Sequence, residues 1–246
     1  MNLVLLPGLN NTTAVWTPLT SQLTALGLDS GAITAIECSD LPSVEAIAAD
    51  LLTDLPAKFY LCGFSFGGYV ALAMQALAPE RVAGLILVNT SAIADSEKTA
   101  AFRRNAIKKA ETGQHEEMML SQLPIFFDKS SLDNTKLQSS FLDMLREYGT
   151  NRFINHTLAC IARPDSSSRL ATLAAKTLVI SAAGDRLIPP DLQKKMAQEI
   201  PGASYETIEK CGHMLPIERP TELAAVMFRW LKAQALYSNQ EFEPIV

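Results

Sequence analysis

The apolar positions of this chain fall into short runs, separated by longer stretches with helical spacing. "LVLL" (Leu3 to Leu6) is such a run, and Pro7-Gly8 stops it, as a strand running into a loop. Thr17 to Leu26 carries apolar residues at helical intervals. "AITAIEC" (Ala32 to Cys38) is β-branched and reads as a second strand. Ser43 stands where an N-cap belongs and Glu45 falls in the first turn, so a helix is expected to about Leu55, with Pro56 as its stop. A strand at Phe59 to Cys62, a helix from Gly68 to about Leu77 and a strand at Gly84 to Asn89 follow. This strand–helix alternation predicts parallel β-α-β units.

The alternation stops at about Asp95. Up to Arg163 the pattern holds no strand, and amphipathic helices are expected at roughly Ser96 to Glu111, Glu116 to Leu123, Asn134 to Tyr148 and Asn151 to Ile161. It resumes with "TLVISAAG" (Thr177 to Gly184), a helix from about Pro190 to Glu199 and a strand at "SYETIE" (Ser204 to Glu209). A final helix is expected from about Thr221 to Leu236, with Leu223, Val226, Met227, Trp230 and Leu231 at helical spacing. The expected organisation is an α/β core over 1–94 and 164–236, a helical insertion over 95–163, and a weakly anchored tail over 237–246. An insertion after a parallel strand lands over the crevice where such sheets bind ligands, so it is expected to act as a lid.

Composition narrows the partners. The 246 residues fit one domain, and 48% are apolar, enough for a large core. A net charge of -5, with no dense Lys/Arg cluster, argues against nucleic acid as a partner. The first apolar run ends at Pro7 without a preceding basic region, too short for a signal peptide or a membrane span. Cys38, Cys62, Cys160 and Cys211 stand far apart and read as free thiols of a reducing compartment, so a cytoplasmic protein is expected. Three histidines without ligand spacing give no zinc site. Oligomeric state is not legible.

The chemistry starts at "YLCGFSFGGYV" (Tyr60 to Val70). Strand, Gly63-Phe64-Ser65-Phe66-Gly67, then helix is the context of a nucleophile elbow. Such a turn pushes its central residue toward positive φ and brings the residues two positions either side against neighbouring backbone, where only glycine fits. Ser65 Oγ is then held at a helix N-terminus, which favours developing negative charge. A serine hydroxyl is a weak nucleophile until a base takes its proton. Asp185 in "AAGDRLIPP" and His213 in "EKCGHMLPIERP" each follow a strand, so all three residues share the edge where parallel strands end. Their order is Ser, Asp, His.

Gly63 to Gly68, Gly184-Asp185 with Ile188-Pro189, and Cys211-Gly212-His213 with Pro216 and Glu218-Arg219-Pro220 resemble the α/β-hydrolase superfamily. Within it the chain is most similar to small cytoplasmic carboxylesterases with a four-helix lid, a likeness that "ARPDS" (Ala162 to Ser166) shares. The resemblance implies an α/β fold: a mostly parallel sheet of about six strands flanked by helices, without the two leading strands of larger members, and with a helical lid. It implies Ser65 as nucleophile, His213 as base and then acid, and Asp185 as the residue that fixes the imidazole tautomer. The oxyanion would be met by the backbone N–H groups of Phe66 and of Leu9 in "LPGLNN". Pro7-Gly8 stands where relatives often have His-Gly, so the loop carrying Leu9 lacks that histidine's hydrogen bonds. The implied activity is hydrolysis of a small-molecule ester with a small or medium apolar acyl group, without a cofactor. Lactone or carbon–carbon bond hydrolysis, perhydrolysis, or a binding protein that keeps the fold without turnover remain alternatives.

The other candidates carry blander readings. Asp185 could cap a helix instead, and Asp191 is the competing acid, placed as a first-turn carboxylate. Asn89-Thr90 occupies the position where some hydrolases place the acid, and holds no carboxylate. His115 and His156 fall in the insertion without matching partners and read as surface or packing residues. Cys62 and Cys211 read as small buried apolar groups. Trp16, Phe64, Phe126 and Phe127 are candidates to line an acyl pocket, or plain core.

Overall fold

The computed structural model describes residues 2–240. Six strands form one sheet: β1 (Leu3–Leu6), β2 (Ile33–Ala35), β3 (Phe59–Phe64), β4 (Val82–Val88), β5 (Lys176–Ala182) and β6 (Ser204–Ile208). Their order is β2-β1-β3-β4-β5-β6 and every pairing is parallel. Helices α1 (Thr17–Ala25), α2 (Val44–Asp54) and α3 (Phe66–Leu77) alternate with the first four strands. Between β4 and β5 lie α4 (Glu97–Glu111), α5 (His115–Ser121), α6 (Leu123–Phe126), α7 (Thr135–Tyr148), α8 (Thr150–Ala162) and α9 (Ser167–Leu170). α10 (Pro190–Glu199), α11 (Leu215–Glu218) and α12 (Pro220–Gln240) complete the chain.

The strands are apolar on both faces, which is why they read as continuous runs rather than as alternation. Leu3, Leu5, Phe64, Ile86 and Leu178 face one core, shared with Leu19 and Leu23 of α1 and with Leu223 and Met227 of α12. Val4, Leu6, Leu61, Leu85 and Val179 face the other, shared with Ile47 of α2, Val70 and Met74 of α3 and Met196 of α10. Each fully buried aliphatic side chain contributes about 1.5–3 kcal/mol. The cap expected at Ser43 forms, accepting from the Ala46 N–H at 3.3 Å, and Asn134 caps α7 by accepting from the Lys136 and Leu137 N–H groups. Ser96 likewise accepts from the Thr99 N–H at 3.2 Å.

Several boundaries move for local reasons. β2 spans three residues, not the seven from Ala32 to Cys38, because it is an edge strand whose only neighbour, β1, ends at Leu6. β3 runs on through Gly63, which pairs with both Leu6 and Leu87. The helix expected over Glu116 to Leu123 is two pieces, α5 and α6, with Pro124 in the first turn of the second, where a missing N–H is harmless. α12 continues past Leu236 to Gln240, and the rest of the expected tail, 241–246, lies outside the described residues. No helix among the described residues is long and apolar enough to cross a membrane.

Candidate active site

Ser65 joins β3 to α3 with φ 51° and ψ -115°, a conformation that costs a non-glycine residue about 1–3 kcal/mol. The glycines around it are required by backbone, as the sequence implies. A Cβ on Gly63 would overlap the backbone of Gly67 and Gly68, and a Cβ on Gly67 would overlap the carbonyls of Leu6 and Pro7. One on Gly68 would strike the Thr90 side chain. The strained turn is pinned on both sides: the Ser65 N–H donates to Val88 O at 2.9 Å, and the Thr90 hydroxyl donates to Ser65 O at 2.8 Å.

Asp185 and His213 meet Ser65 at the same sheet edge, in the loops after β5 and β6. His213 Nε2 lies 2.9 Å from Ser65 Oγ, and Nδ1 lies 2.8 Å from Asp185 Oδ2. The other carboxylate oxygen, Oδ1, accepts the Leu187 and Ile188 N–H groups at 2.9 Å each, which fixes the carboxylate plane. All three residues are buried. A carboxylate can only accept, so His213 carries its proton on Nδ1 and presents Nε2 as acceptor for the Ser65 hydroxyl proton. That is the reach and orientation that general-base activation needs.

Two residues not assigned from sequence hold the histidine loop. Asn89, at φ 44° and fully buried, accepts the Ala182 N–H at 2.9 Å and donates to His213 O at 2.8 Å, tying the ends of β4 and β5 to the loop. The position that lacks a carboxylate therefore carries an amide, which can donate and accept at once. Glu218 accepts the N–H groups of Gly212 and Asp128 at 2.9 Å each, and burial pushes its pKa up. The repeated Gly, Glu and Pro around His213 were the available signal for Glu218; nothing in a lone Asn-Thr pair marks Asn89.

A cavity of about 360 Å³ opens onto Ser65 and His213, between the sheet edge and the helices of 95–163. Leu9 and Phe66 line it, and their backbone N–H groups take no hydrogen-bond partner among the described residues. Met119, Phe126, Phe141, Leu187 and Met214 form apolar wall, and Phe64 lies beneath. Two of the pocket candidates fall elsewhere. Trp16 is fully buried beneath Phe64, meeting its ring edge-on at 6.1 Å, and Phe127 is buried edge-on against Phe141 at 5.9 Å; neither reaches the cavity. Aromatic spacing alone does not separate wall from core, which is why Phe126 lines the space and its neighbour does not. The far end is polar: Asp95 receives Arg103 Nε at 2.6 Å and Arg163 Nη1 at 2.7 Å, and the Arg163 guanidinium sits 4.0 Å over the Tyr69 ring.

The remaining chemistry-bearing side chains are structural or unexpected. Cys62 and Cys211 are fully buried with their thiol pKa values pushed up by burial, which keeps them protonated. Asp191 sits in the first turn of α10. His115 and His156 are not surface residues: both are buried, hydrogen-bonded and stacked on aromatic rings. Each has a hydrogen-bond partner more than a hundred residues earlier in the chain, Asn10 for His115 and Ser39 for His156, which no local pattern announces. No three His, Cys, Asp or Glu among the described residues are placed to hold a metal ion.

The sequence matches the Alpha/beta hydrolase family over residues 3–226. The chain belongs to the α/β-hydrolase family. Among solved structures, this hydrolase-family chain is similar to a thermophilic esterase from Thermogutta terrifontis in its malate-bound form. The two are 24% identical with a TM-score of 0.85, over 95% of this chain and 90% of the other. An enol-lactonase from Burkholderia xenovorans LB400 is 22% identical at a TM-score of 0.80, over 94% and 91%. These likenesses show the fold. A curated relative, the 2-hydroxy-6-oxononadienedioate/2-hydroxy-6-oxononatrienedioate hydrolase of Escherichia coli K12, is 28% identical over 165 residues. That match spans 64% of this chain and 56% of the relative's length.

Proposed function

We propose that this α/β-hydrolase cleaves a carboxylic ester with a small or medium apolar acyl group, through an acyl-enzyme on Ser65. The observation that carries the reading is the continuous hydrogen-bond line from Asp185 through His213 to Ser65 Oγ, at 2.8 and 2.9 Å, ending in an apolar-walled cavity. Ser65 Oγ attacks the carbonyl carbon while its proton passes to His213 Nε2. The carbonyl oxygen becomes an oxyanion, met by the N–H groups of Leu9 and Phe66 and by the N-terminus of α3. When the tetrahedral intermediate collapses, the C–O bond to the leaving alcohol breaks and the alcohol takes the proton from His213. Water then gives a proton to His213, attacks the acyl carbon and releases the carboxylic acid, and Ser65 regains its proton. Asp185 holds the Nδ1–H tautomer and stabilises the transient imidazolium. The helices of 95–163 act as the lid that excludes water and shapes the acyl site.

A second reading keeps the same residues and changes the bond: a lactone, or a carbon–carbon bond next to a carbonyl. The names of the enol-lactonase neighbour and of the 28%-identical hydrolase favour it. A panel of p-nitrophenyl esters of rising chain length, run with Ser65→Ala alongside, decides. Turnover that peaks at short to medium acyl chains and disappears in the variant is the expected result. Slow turnover on every ester, with fast cleavage of a vinylogous diketone or an enol lactone, replaces the ester reading with the second.

A further inference from the structure

The loop that carries Leu9 has no histidine of its own to hold it, yet an oxyanion donor works only when it is already aimed. The loop turns at Gly8 to Asn11, closed by the Asn11 N–H on Gly8 O at 3.2 Å, with Asn10 at φ 62°. Asn10 is buried, and its side chain is held entirely by α5. Its Oδ1 accepts from His115 Nε2–H at 3.0 Å, and its Nδ2 donates to Met119 Sδ at 3.0 Å. On the next helices, Tyr148 closes α7 and its hydroxyl points at α8. That hydroxyl donates to His156 Nδ1 on α8, and His156 Nε2–H donates to Ser39 O at 2.8 Å. A carbonyl can only accept, so Nε2 carries a proton, and burial, which lowers the His156 pKa, favours the neutral ring whose Nδ1 accepts.

His156 also reaches the second donor. The His156 ring is stacked on Phe66 with centroids 4.6 Å apart, and Phe66 supplies the other oxyanion N–H. The His115 ring is stacked in turn on Phe153 of α8, at 4.3 Å. Both polar atoms of the Asn10 side chain are thus tied to α5, and Phe66 is braced by the His156 ring of α8. A polar network of this kind is costly to bury unless it is fully satisfied, and here its members satisfy one another.

We propose that His115, Tyr148 and His156 are positioning residues: with Asn10 they form a clamp from the lid that aims the Leu9 and Phe66 amides at the oxyanion. The proposal rests on the serine-hydrolase reading above. It replaces the support that a His-Gly loop would give with support delivered from the helical insertion, so the lid completes the oxyanion hole as well as covering it.

The test is the rate of covalent labelling by a fluorophosphonate, whose phosphonyl oxygen develops the same negative charge. Tyr148→Phe removes one hydroxyl and keeps the ring; His115→Phe keeps the stack on Phe153 and removes the donor; His115→Gln keeps a donor. The clamp predicts that Tyr148→Phe and His115→Phe label roughly tenfold more slowly at saturating probe, with the half-saturating concentration unchanged, and that His115→Gln recovers most of the rate. A thermal melt run alongside each variant shows that the folded protein is being compared. Folded variants labelling within about twofold of wild type, or weaker probe binding at an unchanged limiting rate, overturn the clamp while the serine-hydrolase reading stands. Wild-type protein that does not label removes both.

Discussion

The sheet edge and the helical segment over 95–163 build opposite walls of one cavity, and they are built differently. On the sheet edge each candidate catalytic residue is held through main-chain groups, its own or its neighbours'. Ser65 is forced into positive φ by a turn that only glycines allow, Asp185 by two backbone amides, and the His213 loop by Asn89 and Glu218. In the helical segment the polar residues are held by one another, as in Asp95 between Arg103 and Arg163, and Tyr148 on His156. In the proposed reaction the first wall holds the attacking residues, and the second shapes the acyl site and steadies the oxyanion amides through His115, Tyr148 and His156. Substitutions on the first should cost rate, and substitutions on the second, outside the oxyanion clamp proposed above, should cost stability or specificity.

The largest effect expected on the sheet side is Asp185→Asn, which keeps the shape and reverses the tautomer preference of His213. kcat should fall about 10,000-fold with a melting temperature close to wild type. A modest loss of rate would mean that the carboxylate is a helix cap and nothing more. The matching substitution on the other wall is Asp95→Ala, which removes the carboxylate from the buried Arg163 and the half-buried Arg103. Denaturant titration should show about 3–5 kcal/mol of lost stability, with far less change in kcat for the molecules that remain folded. A large loss of kcat at full stability would erase the contrast between the walls.

A smaller effect is expected from pH. Burial holds the pKa values of His115 and His156 below the ordinary 6.5. Groups with a lowered folded pKa take up more protons when unfolded, so their stability is present above about pH 6.5 and is lost as pH falls below it. The Glu218 carboxyl, raised by burial, works in the opposite sense, so the slope is assigned by difference. The denaturation midpoint should drop from about pH 7.5 to about pH 5.5, and drop less in His156→Gln. An equal drop in both proteins would place the titration elsewhere. The smallest effect is expected at the exposed Arg146–Glu116 pair, which joins α7 to α5 at 2.7 Å: Glu116→Gln should leave the melting temperature unchanged within error. A clear shift there would mean that the insertion depends on its surface charges.

The same division explains what the chain discloses when it is read as a string. The strand positions, the switch from β4 into helices and the three residues at the sheet edge were legible because each leaves a local mark. A Gly-x-Ser-x-Gly between a strand and a helix, and a polar residue just past an apolar run, are visible within a few positions. Asn89, Asn10, His115 and His156 leave no such mark, because their roles arise only when residues up to 124 positions apart are brought together. Trp16 and Phe127 show the limit from the other side: an aromatic side chain buries itself equally well in a wall or behind one. The short β2 edge depended on its neighbour β1 rather than on propensity, whereas the break between α5 and α6 lies at Pro124, a local signal.

The convergence of Ser65, Asp185 and His213 is tested most directly by mapping where a fluorophosphonate attaches. After brief exposure at neutral pH, the account predicts a single adduct on the peptide that holds Ser65, and no adduct on His213→Ala over the same time. Protein that stays unmodified, or carries the label on Cys62 or on a surface hydroxyl, would contradict it.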